Sequence, residues 1–285
     1  MTSPAVQEDA EVLNLERVGD YYHLTLAAPH ASVGVRPGNF VAVAVGGEDS
    51  AMLLRRAFSI YRADPRSGTL EVVFAIHGRG TRWLAEVGRG DHLNVVAPLG
   101  RPFVLPAEPV PCVLVAGGYG AAPMFELARR LRARGCRVDM VLGAATEARL
   151  FGTLEARRVA DTVTLTTDDG SVGERGVVSG PLRRLMGEHH SAVVYACGPM
   201  AMLAAVADIA AEFGAHAQCA VEESMACGIG VCMTCVLPVV GGDGVTKMVR
   251  SCVEGPVFFG DRVRWADVGT VPPDTWGAPK PDGGH

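Results

Sequence analysis

The sequence has no long hydrophobic run, no excess of one charge and no internal repeat. Its uncharged stretch at residues 191–207 is shorter than the roughly 20 residues that a membrane-spanning helix needs, and Gly198-Pro199 interrupts it. The N-terminal residues are acidic and lack an apolar core, so no signal peptide is expected. The 31 acidic and 26 basic residues are mixed along the chain, so neither nucleic acid nor a membrane is expected as a partner. We expect a soluble cytoplasmic protein.

The chain of 285 residues, 48% of them hydrophobic, is long enough for more than one core. Short segments rich in β-branched and aromatic residues, separated by Gly, Pro and Asp, predict an antiparallel β-barrel over residues 10–106. Strands that alternate with helices predict a parallel, doubly wound α/β domain over residues 110–216. A small cysteine-containing module is predicted at 217–265 and a flexible tail at 266–285.

Four of the eight cysteines have a spacing that indicates a metal centre. Cys227, Cys232 and Cys235, followed at a distance by Cys252, show the C-x4-C-x2-C…C pattern of plant-type ferredoxins, whose [2Fe–2S] cluster takes four sulfur ligands. Zinc is the alternative, but structural zinc sites pair their ligands at both ends and often include histidine. Only Cys252 is available for the second half here. We therefore predict a [2Fe–2S] cluster held by these four cysteines.

Two turns of the α/β region have the composition of a nucleotide site. "VAGGYGAAPMF" places glycines between a strand and a helix, and "YACGPM" follows a second apolar strand. Ligands of parallel sheets bind at the carboxyl ends of strands, which favours NAD(H) here. The spacing is not G-x-G-x-x-G, and tight packing of strand on helix also accounts for the glycines. The predicted residues are Gly117, Gly118, Gly120, Cys197, Gly198 and Pro199.

The barrel region has residues suited to a flavin. NAD(H) exchanges two electrons together and a [2Fe–2S] cluster exchanges one, so a flavin, which handles both, is expected between them. In "RRAFSIYR", an arginine could hold a pyrophosphate and a serine could reach the ring edge. "AIHGRGTRW" ends a strand in a glycine-rich turn typical of anion binding, although a plain hairpin turn has the same composition. The predicted FAD residues are Arg56, Ala57, Phe58, Ser59, His77, Gly78, Gly80 and Thr81.

Taken together, residues 10–265 resemble the electron-transfer subunits of type B dihydroorotate dehydrogenases, within the ferredoxin-reductase-like flavoproteins. The resemblance is carried by "RAFSI" for the flavin motif R-x-[YF]-S-[IL], the GxGT turn, "CGP" and "TDDGSVGERGVV". Phe58 stands where many members have tyrosine, which removes one hydroxyl but keeps the aromatic face. The four cysteines match the family's ligand pattern without a gap.

The resemblance implies an oxidoreductase subunit of pyrimidine biosynthesis. It would pass electrons between NAD(H), FAD, the cluster and FMN in a separate catalytic subunit that oxidises dihydroorotate to orotate. A heterotetramer of two copies of each subunit is implied. Cys197 is expected at the contact between flavin and nicotinamide, as the catalytic position, without covalent chemistry of its own.

Two other functions fit parts of the sequence. A subunit with the same domain organisation could exchange electrons with a hydrogenase, a sulfite reductase or a ferredoxin:NADP⁺ transhydrogenase as its partner. A zinc-binding module that uses the sheet as a scaffold is the second alternative. The choice between NADH and NADPH stays open, because Thr146, Glu147 and Arg149, which follow the second strand, place an acid beside a base.

Overall fold

The computed structural model describes residues 4–47 and 50–278. Six strands form a closed antiparallel barrel in the order β1-β2-β5-β4-β3-β6. The strands are β1 (Val6–Val18), β2 (Tyr21–Ala27), β3 (Phe40–Val43), β4 (Arg56–Asp64), β5 (Thr69–Phe74) and β6 (His92–Leu99), and helix α1 (Arg79–Leu84) lies between β5 and β6. Alternate side chains such as Ala10, Val12, Leu24 and Leu26 fill the barrel, since successive residues of a strand face opposite sides.

A parallel sheet follows the barrel. Its strands are β7 (Cys112–Gly117), β8 (Val138–Ala144), β9 (Thr162–Thr167), β10 (Glu174–Arg175), β11 (Val193–Cys197) and β12 (His216–Ala220), in the order β10-β9-β8-β7-β11-β12. Helices α2 (Ala122–Ala133), α3 (Thr153–Val159), α4 (Ser179–His189) and α5 (Met200–Glu212) cover its faces. The chain builds outward from β7 to β10 and then returns to β11, so a crevice opens at the carboxyl ends of β7 and β11.

The C-terminal region packs on both preceding parts. After β12 a loop carries three of the predicted cluster cysteines, and a hairpin follows with β13 (Val236–Val240) and β14 (Thr246–Arg250). Strand β15 (Val257–Phe259) then pairs antiparallel with β12. The predicted boundary between residues 216 and 217 therefore falls within a strand, because the chain of the cysteine module returns to extend the nucleotide sheet.

Residues 266–278 of the predicted tail contact the rest of the protein. The backbone N–H of Trp276 donates to the carbonyl of Thr246 at 2.8 Å, and Arg264 forms an ion pair with Asp274. Residues 279–285 of that tail lie outside the described residues. Barrel, doubly wound sheet and C-terminal module confirm the predicted fold class, whereas the domain boundaries stay predictions. Within residues 4–47 and 50–278, no helix is long and apolar enough to cross a membrane.

The barrel and the nucleotide sheet are joined through a carboxylate. The Glu155 side chain on α3, which is 16% exposed, accepts hydrogen bonds from Tyr61 and Arg62 of β4 and from Arg129 of α2. Tyr61 also packs edge-on against Phe125. This contact joins strand β4 of the barrel to helices α2 and α3 of the nucleotide sheet.

We expect Glu155→Ala to destabilise the fold. The substitution leaves three donors without their acceptor at a half-buried contact, which costs about 1–2 kcal/mol. Urea unfolding of the cofactor-loaded protein measures the effect. Glu174→Ala is the control, because the Glu174–Arg184 pair is about half exposed on both sides and should contribute almost nothing. Equal unfolding midpoints for the two variants would contradict the prediction.

Candidate functional site

A cavity of about 810 Å³ lies where the barrel meets the carboxyl edge of the sheet. All three parts of the chain line it: β4 and the turn after β5 from the barrel, the turns after β7 and β11 from the sheet, and residues 220–225 from the C-terminal region. Its size is that of a ligand or cofactor site. It contains every predicted FAD residue except Gly78 and Gly80, and every predicted NAD residue.

At the barrel end, the predicted arginine and the predicted glycine turn come together. A Cβ on Gly80 would lie only 2.7 Å from Nε of Arg56, so the guanidinium lies directly on the turn. Arg56 donates to the carbonyl of Leu54 at 2.7 Å, and no described carboxylate lies within 4 Å of it. An arginine that faces a cavity without an acid partner suits a phosphate.

The remaining barrel residues shape this end of the cavity. The hydroxyl of Thr81 accepts hydrogen bonds from the N–H groups of His77 and Gly78 at 2.9 and 3.1 Å, which orders the turn. Phe58 packs against Phe74 in the barrel core with ring centroids 5.5 Å apart. The Tyr-to-Phe departure therefore leaves the aromatic packing in place.

At the sheet end, glycines let the two turns approach each other. A Cβ on Gly120 would lie 2.6 Å from the carbonyl oxygen of Cys197, and one on Gly117 would lie 2.8 Å from Pro199. Gly118 has φ +55° and Gly198 has φ +153°, which favour glycine. These glycines pack one turn against the other and also line the cavity. The tight-packing interpretation and the nucleotide-site interpretation are therefore compatible.

The far part of this end carries polar groups that sequence reasoning missed. Thr166, at the end of β9, is 1% exposed, and its hydroxyl has no partner among the described residues. Asp168 follows it at the cavity wall. Of the three residues considered for nucleotide choice, only Arg149 lines the cavity, and Thr146 and Glu147 do not. An unpartnered buried hydroxyl that borders a cavity suits a polar ligand.

Where the two ends meet, three titratable side chains lie together. Burial, with a contribution from the charge of Glu222, raises the pKa of Cys197 to about 12, so this thiol stays protonated at neutral pH. That agrees with a contact role without covalent chemistry. The Tyr119 hydroxyl donates to Glu222 at 3.0 Å. Burial, and secondly the charge of Glu222, raises the pKa of Tyr119.

The four predicted cluster cysteines lie in two pairs. Cys227 interacts with Cys232 near the surface, and Cys235 interacts with Cys252 in the interior, where each is 2% exposed. Among the described residues, no group of three His, Cys, Asp or Glu converges on one metal position. A two-iron cluster with two cysteines on each iron needs pairs rather than a triad, so the arrangement fits it better than a single zinc ion.

Hydrogen bonds favour the ionised form of the outer pair. The hydroxyl and backbone of Thr234 lower the pKa of Cys232 to about 6. Burial raises the pKa of Cys227, but backbone N–H groups of the loop, including that of Val231 at 3.3 Å, outweigh it. Burial raises the pKa of Cys252 to about 12. Iron binds thiolates, so the outer pair is already suited to it before any metal is present.

A thin apolar layer separates the inner cysteine pair from the cavity. Cys235 and Cys252 pack in one small core with Phe40, Ala42 and Leu99, and Ala57 and Met225 pack against it. Phe40, Ala57 and Met225 also line the cavity. The predicted flavin site and the predicted cluster site therefore share side chains.

Comparison with known proteins agrees with this arrangement. The profile described as the iron-sulfur cluster binding domain of dihydroorotate dehydrogenase B matches residues 222–264. The profile of an oxidoreductase NAD-binding domain matches residues 114–208. A solved structure of an NADH-dependent reduced ferredoxin–NADP oxidoreductase, determined in a study of flavin-based electron bifurcation, has a TM-score of 0.80 and 29% identity and covers 91% of each chain.

Two curated relatives are named dihydroorotate dehydrogenase B (NAD(+)), electron transfer subunit. The protein from Desulforamulus reducens is 34% identical over 258 residues, which is 90% of this chain and 98% of the relative. The protein from Geobacillus thermodenitrificans is 38% identical over 240 residues, which is 83% of this chain and 90% of the relative. Identity at this level over nearly the whole length shows common descent, and the chain belongs to the family of dihydroorotate dehydrogenase B electron transfer subunits.

Proposed function

We propose that this chain carries electrons between NAD(H) and an FMN-containing catalytic subunit that interconverts dihydroorotate and orotate, by way of its own FAD and [2Fe–2S] cluster. One observation carries the proposal: the cavity between barrel and sheet shares Phe40, Ala57 and Met225 with the core around the inner cysteine pair. A nucleotide site, a flavin site and a cluster site thus follow one another within a single molecule.

Family membership confirms the predicted cofactors, FAD, a [2Fe–2S] cluster and NAD(H), and the predicted electron-transfer role of an oxidoreductase subunit. It also favours the cluster over the zinc alternative. When bound, FAD supplies the exchange between a two-electron donor and a one-electron carrier. The side chains around it bind it, orient it and keep water away.

Each proposed residue role follows from its contacts. Arg56, which lies beside Gly80 and has no acid partner among the described residues, holds the FAD pyrophosphate. Ser59, at the cavity wall, reaches the ring edge. The inner cysteines hold the iron nearer the flavin and the outer cysteines hold the iron nearer the surface. This order places the carriers in a line between the interior and the protein surface, along which electrons can pass in either direction.

The surface around the outer pair suits a protein partner. Ile229, Val231 and Met233 are 55%, 76% and 51% exposed, whereas Met225 packs inside. An apolar patch next to an exposed Cys232 brings a docked subunit close to the cluster. The family name implies a catalytic partner and hence a hetero-oligomer, and we propose that its FMN lies across this patch.

Co-expression with the catalytic subunit tests the function. The purified complex should contain FAD, FMN, iron and sulfide, and dihydroorotate should reduce NAD⁺ through it. The chain alone should reduce its flavin and cluster with NADH but show no activity toward dihydroorotate. A complex that forms and fails to couple dihydroorotate to NAD⁺ would refute the assigned reaction.

A second candidate is a subunit of the same build with a different partner. The ferredoxin–NADP oxidoreductase structure favours it, because the match covers 91% of each chain. The purified complex decides between them: coupling to ferredoxin and NADP⁺, with no coupling to dihydroorotate, would select the second candidate.

We expect Asp168→Ser to weaken the preference for NADH. Its carboxylate is exposed at the cavity wall near Thr166, whose hydroxyl has no partner among the described residues. There it is placed to accept hydrogen bonds from the ribose hydroxyls of NADH and to repel the 2′-phosphate of NADPH. The ratio of kcat/KM for NADH over NADPH should fall at least about tenfold. The neighbouring Asp169→Ser is the control, since Asp169 bonds to Ser171 and is outside the cavity lining. An equal fall in both variants would mean that general charge, not contact, sets the preference.

A further inference from the structure

A hydrogen bond joins two side chains of the cavity lining that come from distant parts of the chain. The hydroxyl of Tyr119, in the turn after β7, donates to Oε1 of Glu222 at 3.0 Å, although the two residues are 103 positions apart. Nε2 of His77, from the barrel, lies 3.5 Å from the same hydroxyl, which is long for a hydrogen bond. The Tyr119–Glu222 hydrogen bond is therefore the main connection, and we call it the strap.

The strap lies on the route that nicotinamide has to take. The nucleotide enters from the sheet end, where Thr166 and Asp168 line the cavity, and its reactive ring has to reach the flavin at the barrel end. Tyr119, Glu222 and Cys197 border the cavity between these ends. The hydrogen bond thus joins two groups of the cavity lining close to Cys197, the residue expected at the contact between flavin and nicotinamide.

We propose that the nicotinamide end of NAD(H) displaces the strap, so that Tyr119 is a positioning residue that lowers the affinity of the protein for nicotinamide. The inference rests on the proposed function, because it requires NAD(H) and FAD in this cavity. Opening takes place by rotation of the Tyr119 side chain, since the backbone of its turn is packed: a Cβ on Gly120 would lie 2.6 Å from the carbonyl of Cys197.

The Tyr119 ring also packs edge-on against Tyr21 of the barrel, with centroids 5.6 Å apart. Tyr119 therefore contacts the barrel as well as Glu222. The adenosine end, beyond the strap, binds independently of it.

Binding measurements on the FAD- and cluster-loaded protein distinguish the nicotinamide end of the ligand from its adenosine end. Calorimetry with NAD⁺ and with ADP-ribose, which lacks the nicotinamide, is run on the unchanged protein and on Tyr119→Phe. The phenylalanine keeps the ring and removes the hydrogen bond to a charged acceptor, so NAD⁺ should bind about tenfold more tightly. The affinity for ADP-ribose should not change. Weaker or unchanged NAD⁺ binding by Tyr119→Phe would overturn the strap.

Two further variants keep the test decisive. Glu222→Gln keeps the side-chain shape and makes the acceptor neutral, so it should tighten NAD⁺ binding by a smaller factor, about threefold. Tyr22→Phe is the control, because the Tyr22 ring stacks on Phe74 and its hydroxyl has no hydrogen bond within the described part of the chain. Tighter NAD⁺ binding by Tyr22→Phe would overturn the assignment of the effect on affinity to Tyr119. If the unchanged protein binds neither NAD⁺ nor ADP-ribose, the proposed function itself fails.

Discussion

Replacing Cys252 with serine is expected to remove the cluster while FAD binding and reduction by NADH persist. Cys252 is 2% exposed and paired with Cys235, so a serine oxygen there is a hard, weakly acidic ligand in an apolar position where iron needs thiolate. Electron transfer to the catalytic subunit should fall by more than about 100-fold. Reduction of a dye that takes electrons directly from the flavin should remain.

The molar ratios of iron and of acid-labile sulfide to flavin measure the loss of the cluster directly. Cys136→Ser provides the matched control, because Cys136 is equally interior, at 5% exposure, and has no place in the cluster site. It should keep full iron and full coupling. Iron retained in Cys252→Ser would exclude this cysteine as a ligand, and iron lost from both variants would trace the effect to folding.

Features that depend on neighbouring residues could be predicted from the sequence. The spacing of Cys227, Cys232 and Cys235 is set by how tightly a loop wraps around a cluster, so it is readable without a fold. The clustering and alternation of apolar residues in strands is an equally local signal, and so are glycines between a strand and a helix. These signals were sufficient to predict the barrel and the doubly wound sheet. Arg56 and Gly80 were each assigned to the flavin site from their local sequence, and the structure brings them together.

Features that depend on distant residues could not. Nothing near Glu222 signals that Tyr119 bonds to it, because that contact exists only once the sheet and the cysteine module are joined. Asp168 lies in the segment "TDDGSVGERGVV" that carried the family resemblance, but no role was assigned to it, because the residues considered for nucleotide choice were Thr146, Glu147 and Arg149 after the second strand. The pairing of β12 with β15 has no local signal either, since it joins a strand that spans the predicted boundary between residues 216 and 217 to a strand far along the chain.

Replacing Arg56 with alanine is expected to release FAD. Its guanidinium lies against Gly80 at the barrel end of the cavity, and no described carboxylate competes for it. Loss of charge-assisted hydrogen bonds to a pyrophosphate should raise the Kd for FAD about 10- to 100-fold. Titration of the flavin-stripped protein with FAD measures it. Arg66→Ala, in the turn after β4, removes the same charge away from the cavity and should leave the Kd unchanged.

The same variant tests the order of the carriers, because Arg56 touches none of the four cysteines. The cluster should therefore stay bound in Arg56→Ala at full iron content. Without flavin, NADH should no longer bleach it, and added FAD in excess should restore the bleaching. A cluster that NADH still reduces in the flavin-free variant would mean that electrons reach the cysteine module by another route. Unchanged FAD affinity would instead place the pyrophosphate elsewhere on the barrel.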